Sequence, residues 1–175
     1  MFGEHVFVAG AAGTGRSSAL VAVAAAARRV DPSITLFGVA PRGGPLARFD
    51  IDRPSEPADV GPWVDRVLDA PGRRIVLIDD ADRLGGPSFE RLAATRDEHV
   101  TIIVAGRADD LRSVTHWTKP LQRFRTGVLL RPAPTDGDLL RTSLGARVPR
   151  FAEHMGYLVD EGELVPILAA IVGEP

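Results

Sequence analysis

The chain contains no cysteine, so disulfides and thiolate metal sites are excluded. It is nearly without lysine: Lys119 stands alone among 21 basic residues, and the rest are arginine. With abundant alanine, glycine and proline, this usage matches a GC-rich bacterial coding bias. No apolar run is long enough to span a bilayer; Leu20 to Ala27 is short and Arg28-Arg29 closes it. No secretory leader is legible either, because Glu4 and His5 precede the first apolar run. The net charge of -2 gives no bulk attraction for nucleic acid. The four histidines, His5, His99, His116 and His154, are widely spaced, form no ligand motif and read as ordinary polar residues. Internal repeats and low-complexity tails are absent. The balance of 45% hydrophobic and 25% charged residues is that of a soluble globular chain. At 175 residues, 1–175 reads as one domain. It opens abruptly at its first strand, so we expect a segment of a longer protein.

What is present is a glycine-rich stretch that organises the rest. Val6 to Ala9 is a short apolar run, followed by Gly10-Ala11-Ala12-Gly13-Thr14-Gly15-Arg16-Ser17-Ser18 and an alanine-rich segment from about Ser17 to Arg29. Strand, loop and helix in this order follow the phosphate-loop pattern G-x-x-x-x-G-K-[ST]. Gly10 and Gly15 take the glycine positions and Ser17 the hydroxyl position. Successive backbone N–H groups wrap an anion there, and the helix N-terminus adds its own unpaired donors. Ser17 is suited to a magnesium ion. Arg16 stands where lysine is required, and a planar guanidinium is not interchangeable with an ammonium at a tight phosphate site. The residues therefore predict nucleotide binding with impaired hydrolysis; the alternative is a ligand-free strand-to-helix turn.

Strands and helices alternate beyond the loop. Ile34–Val39 reads as a strand, then Pro41 to Pro57 as a connection with one short strand near Leu46 to Ile51. A helix is expected over Asp59–Ala70, a buried strand over Arg73–Ile78, a helix over Ser88–Arg96 and a strand over Val100–Ala105. Asp109–Leu121 looks helical up to the limit set by Pro120. Thr126–Arg131 is a strand, Pro132–Pro149 mostly loop with a turn near Asp138–Leu140, and Gly156–Val165 a hairpin. This order predicts an α/β fold: a mainly parallel central sheet flanked by helices, with a C-terminal β-hairpin. Such sheets bind ligands at the carboxyl ends of their strands. The loop and the Asp79-Asp80 pair both lie at that edge.

In phosphate-loop enzymes the acid ending the second strand positions magnesium, a role that suits Asp79. The next position often holds a glutamate that orients the attacking water. Asp80 is the candidate catalytic acid here, with roughly 1.5 Å less reach, and about 1 Å of misplacement costs on the order of a hundredfold. Asp82 reads as part of a solvated strand end or helix cap.

With these residues in view, "HVFVAGAAGTGRSSAL", "RIVLIDDADRL", "VAGRADDLRSVTHWTKPLQRFRTGVLLRPAPTDGDLL" and "GYLVDEGELVPI" resemble the FtsK/SpoIIIE-type ATPases. More narrowly they are similar to the degenerate C-terminal ATPase domain of EccC, the motor of type VII (ESX) secretion. The resemblance runs from His5 to about Ile167. It implies a RecA-like P-loop NTPase domain within a string of such domains, cytoplasmic and tethered to the membrane through other segments. It implies ATP and Mg2+ as cofactors, with Gly10 to Ser18 on phosphate and Ser17 and Asp79 on the metal. Asp80 carries the catalytic acid's position, one methylene short. Implied partners are neighbouring ATPase domains of the motor and a WXG-type secreted substrate recognised by its C-terminal signal. The terminal hairpin would line the adenine site. Relatives carry a polar residue after the strand equivalent to Val100–Val104; here Ala105-Gly106-Arg107 stands instead.

Three other features have ordinary readings. Trp63 and Trp117 suit core packing better than a recognition pocket. Arg107 suits a surface ion pair. Arg123 and Arg125 flank Phe124 without a surrounding basic field, which argues against nucleic acid and for a solvated or interdomain face. The competing functions are a nucleotide-holding module that recognises substrate or regulates, and an active ATPase driving protein or DNA translocation. The charge balance argues against the DNA branch.

Overall fold

Strand β1 (Val6–Gly10) lies at the middle of a seven-stranded sheet. The computed structural model describes residues 3–41, 43–152 and 155–168; His154 lies outside them. The other strands are β2 (Thr35–Val39), β3 (Arg74–Ile78), β4 (Val100–Gly106), β5 (Thr126–Leu130), β6 (Met155–Asp160) and β7 (Glu163–Leu168). The sheet order is β2-β3-β4-β1-β5-β6-β7. The first five strands pair in parallel, and β6 and β7 add antiparallel to β5. This is the mainly parallel α/β sheet with a terminal hairpin expected from the sequence.

Helices are α1 (Arg16–Val30), α2 (Val60–Asp69), α3 (Pro87–Ala93) and the single turn α4 (Ala108–Leu111). The central strands are mostly apolar because both of their faces are covered. On one face Leu20, Ala24 and Ala27 of α1 pack against Val8, Leu77 and Ile103. On the other, Trp63, Val64 and Val67 of α2 with Phe89 and Leu92 of α3 cover Phe7, Val76, Ile102 and Leu129. The insertion of β4 between β1 and β3 matters most for function. It separates the phosphate loop after β1 from the acids after β3 by one strand width at the same carboxyl edge.

Two expected elements differ. The strand near Leu46–Ile51 is a 3-10 turn, Pro45–Arg48, and the pairing here is a lone bridge between Phe37 and Asp52. Pro45 fixes the first dihedral of the turn, and Leu46 is fully buried against the α1 side of the sheet. The helix expected over Asp109–Leu121 stops after α4, and a second 3-10 segment covers Lys119–Phe124. Between them hydroxyl and imidazole groups bond locally. Ser113 Oγ meets Thr115 Oγ1 at 3.2 Å, and His116 Nδ1 meets Thr118 Oγ1 at 2.8 Å. Such local bonds compete with the helical ladder. The turn near Asp138–Leu140 extends over Pro134–Leu140.

At the amino edge of the sheet, away from the loop, Arg74 is buried and bonded through all three guanidinium nitrogens. Its guanidinium donates to the Val67, Leu68 and Gly72 carbonyls at 3.1, 2.9 and 3.0 Å and pairs with Asp97 at 2.5 Å. This clamp ties the end of α2 to β3 and to the turn before β4.

Candidate phosphate-loop site

The loop between β1 and α1 is built by close backbone approach. A Cβ at Gly10 would stand 2.6 Å from Thr14 Oγ1 and 2.7 Å from the Leu130 carbonyl, so only glycine fits there. Thr14 is buried and its hydroxyl donates to the Ala11 carbonyl at 2.9 Å, bracing the loop from inside. Ala11, Ala12 and Gly13 form its exposed rim. Gly13 and Gly15 sit at φ 75° and 97°, in the left-handed region that glycine tolerates. Gly15 caps α1 without a side-chain bond, and the first turn of α1 carries no acid. The positive end of a 15-residue helix therefore faces the loop with no side-chain acceptor or acid to offset it. Ser17 and Ser18 follow in that first turn.

Arg16 folds back across the loop. One guanidinium nitrogen donates to the Gly10 carbonyl at 3.1 Å, and the other to Asp80 Oδ1 at 3.0 Å. Asp82 Oδ1 lies 3.9 Å from the first nitrogen. The side chains of Arg16 and Asp80 are only 11% and 23% exposed, so the pair is shielded from much of the solvent screening. Asp80 holds its carboxylate there from a left-handed backbone, φ 47° and ψ 41°, that aspartate accepts better than most residues. The guanidinium thus spans the end of β4 and joins the two positions at which the loop and acid motifs depart from the active pattern.

Asp79 is buried, and loss of solvent raises its pKa. Hydrogen bonds from the Ser17 hydroxyl and the Asp80 backbone N–H, and the nearby Arg16 charge, oppose that rise. A poorly solvated carboxylate beside a serine hydroxyl is a donor set of two hard oxygens, which fits magnesium completed by phosphate and water. The described residues hold no cluster of three or more acidic or imidazole ligands. The pair alone would therefore bind a cation weakly without phosphate oxygens.

The sequence reading missed Asp82 and Gly106. Asp82 is not solvated: its side chain is 7% exposed, and Oδ1 accepts the Arg107 backbone N–H at 3.2 Å. The 3-10 turn Ala81–Arg83 curls it back over the end of β4. No spacing rule marks such a turn in the sequence. Where the resemblance implied a polar side chain after β4, the Asp82 carboxylate lies instead. The Arg107 side chain is on the surface, paired with Asp110 at 3.5 Å. Trp117 is core, and its indole N–H donates to the Ala81 carbonyl at 3.2 Å. Trp63 is fully buried. Arg123 stacks over Phe124 at 4.7 Å, at the opposite edge of the sheet.

No protein-family model matches the chain, and no curated protein matches it. Solved structures do. The cytoplasmic domain of the Thermomonospora curvata type VII secretion ATPase EccC is 16% identical and has a TM-score of 0.72; the match covers 98% of this chain and 24% of that one. The chain has the fold of the type VII secretion ATPase domains. A structure of ATPases 2 and 3 of Thermomonospora curvata EccC with a signal sequence peptide is 16% identical at TM-score 0.71, covering 95% and 36% of the two chains. ATPases 2 and 3 of EssC from Geobacillus thermodenitrificans are 18% identical at TM-score 0.68, covering 94% and 36%. This chain therefore spans well under half the length of those structures. Among the described residues no helix is long and apolar enough to cross a membrane.

Proposed function

We propose that the chain is a nucleotide-holding, catalytically weakened ATPase domain of a type VII secretion motor, acting in substrate recognition or regulation. The observation that carries the reading is the Arg16–Asp80 ion pair at 3.0 Å. Arg16 and Asp80 stand where an active site keeps lysine and glutamate, and in the resting chain they bond each other. The close approach at Gly10, the left-handed Gly15 and an α1 N-terminus without a side-chain cap support phosphate binding at Gly10–Ser18, and the Ser17 hydroxyl beside Asp79 supports the metal reading. ATP would lie with its phosphates on the cradle, and Mg2+ would rest between Ser17, Asp79 and those phosphates and supply charge neutralisation. Asp80, one methylene shorter than glutamate, is poorly placed to orient a water molecule.

The partner reading follows from the multi-ATPase architecture of the similar structures, one of which holds a signal sequence peptide. Neighbouring ATPase domains and a WXG-type substrate are the proposed partners, with membrane attachment through other segments. Calorimetric titration with ATP tests the nucleotide reading. Magnesium-dependent binding that Gly15→Val abolishes supports it, because valine cannot hold φ 97° without strain. No heat and no thermal shift at millimolar ATP would leave a fold without its ligand.

A further inference from the structure

Asp80 occupies a position where phosphate-loop enzymes keep a group for the attacking water, yet its carboxylate faces the loop's own cation. We propose that Asp80 is a built-in competitor for that cation, so that nucleotide binds by exchange: Arg16 passes from Asp80 to phosphate. The proposal deepens the nucleotide reading above and rests on it. Three observations carry it. Arg16 makes its shortest bond to Asp80, at 3.0 Å, and its other branch is pinned on the Gly10 carbonyl at 3.1 Å, inside the loop. Asp80 is held at φ 47° in a turn whose next carbonyl, Ala81, is anchored by the Trp117 indole at 3.2 Å. Among the described residues Asp80 has one other cationic neighbour, Arg83, at 3.9 Å on its second carboxylate oxygen, and Arg83 is 78% exposed. Once Arg16 is drawn away, Asp80 keeps that solvent-facing partner and the turn keeps its anchor. The exchange then costs the protein little structure.

A lysine at position 16 would reach phosphate as a point charge on a flexible stem. The fork of arginine instead permits bonds to Gly10 and Asp80 at once, which makes the resting pair specific to this arginine–aspartate combination. The substitution at the loop and the one after β3 are thus two halves of one device that lowers affinity in the resting state.

The test is a double-substitution cycle on the whole chain, read by calorimetry and thermal shift. The probes are Mg-ATP and, separately, inorganic tripolyphosphate. Asp80→Asn removes the charge and keeps a side chain that accepts the left-handed backbone; Asp80→Gly is the second variant. Unchanged Trp117 fluorescence in a Trp63→Phe background checks that the turn is intact. We expect Asp80→Asn to bind both probes about tenfold more tightly, ~1.4 kcal/mol. In an Arg16→Ala background the same substitution should change affinity less than twofold. If the gain persists without Arg16, Asp80 acts by general repulsion and the exchange is overturned. Equal or weaker binding by both Asp80 variants, with ATP still bound by the parent chain, overturns it and leaves the nucleotide reading standing. Binding by the variants alone supports the exchange and overturns resting nucleotide binding. No binding of either probe by any variant overturns both.

Discussion

The Asp82 carboxylate rests on the bare α-carbon of Gly106: a Cβ built at Gly106 would stand 2.7 Å from Asp82 Oδ1 and 3.0 Å from the Leu111 side chain. Only a glycine at the end of β4 leaves room for the acid that caps the Arg107 N–H and lies 3.9 Å from Arg16. Gly106→Ala is therefore expected to expel the carboxylate and crowd Leu111. The cost is about 1–3 kcal/mol, as for other overpacking changes. Urea denaturation measures it, and a change within about 0.5 kcal/mol would mean that the turn yields freely.

Arg74 gives a larger effect away from the site. Replacing it by methionine leaves the Val67, Leu68 and Gly72 carbonyls without their donors and Asp97 without its cation. Breaking such a buried network is expected to cost about 3–5 kcal/mol. Asp97→Asn should cost far less, about 1 kcal/mol, because that side chain is 34% exposed and screened by solvent. Equal losses from the two variants in equilibrium unfolding would contradict this division.

His5 should shape the acid limb of stability. It is buried, its Nδ1 accepts the Ile102 N–H at 3.2 Å, and burial with the nearby Arg123 charge lowers its pKa from 6.5 to about 4. Between those values the unfolded chain binds the proton and the folded chain does not, so stability falls as pH drops from about 6.5 to 4. The loss is on the order of 3 kcal/mol for this group. Asp79 works in the opposite sense, because its raised pKa favours the folded state at the low end of that range. Comparing His5→Gln with the parent chain isolates the histidine. The variant's urea midpoint should fall less steeply over this window, and parallel curves would refute the assignment.

The parallel sheet and the loop were legible in the sequence because both depend on local pattern. Apolar runs such as Ile75–Ile78 and Ile102–Ala105 need cover on two faces, and Gly10, Gly13 and Gly15 permit a cradle that few other residues allow. Helix ends and short turns were less legible. Ser113, Thr115, His116 and Thr118 replace helical bonds with side-chain bonds whose geometry a propensity does not contain. The Arg16–Asp80 pair joins residues 64 positions apart, across a strand that the topology inserts between them. The sequence shows that each departs from the active pattern, and only the fold shows that the two departures meet. Asp82 is the clearest loss, since its burial depends on the absence of a side chain at Gly106.

Following the fate of bound ATP tests most directly whether this domain holds nucleotide without turning it over. Radiolabelled Mg-ATP is mixed with excess protein, and inorganic phosphate is counted over time. The guanidinium at position 16 and the short carboxylate at position 80 predict that most of the label remains as ATP after an hour. Phosphate release approaching 1 per second, within the ordinary range for enzymes, would contradict it and show that Arg16 and Asp80 support catalysis after all.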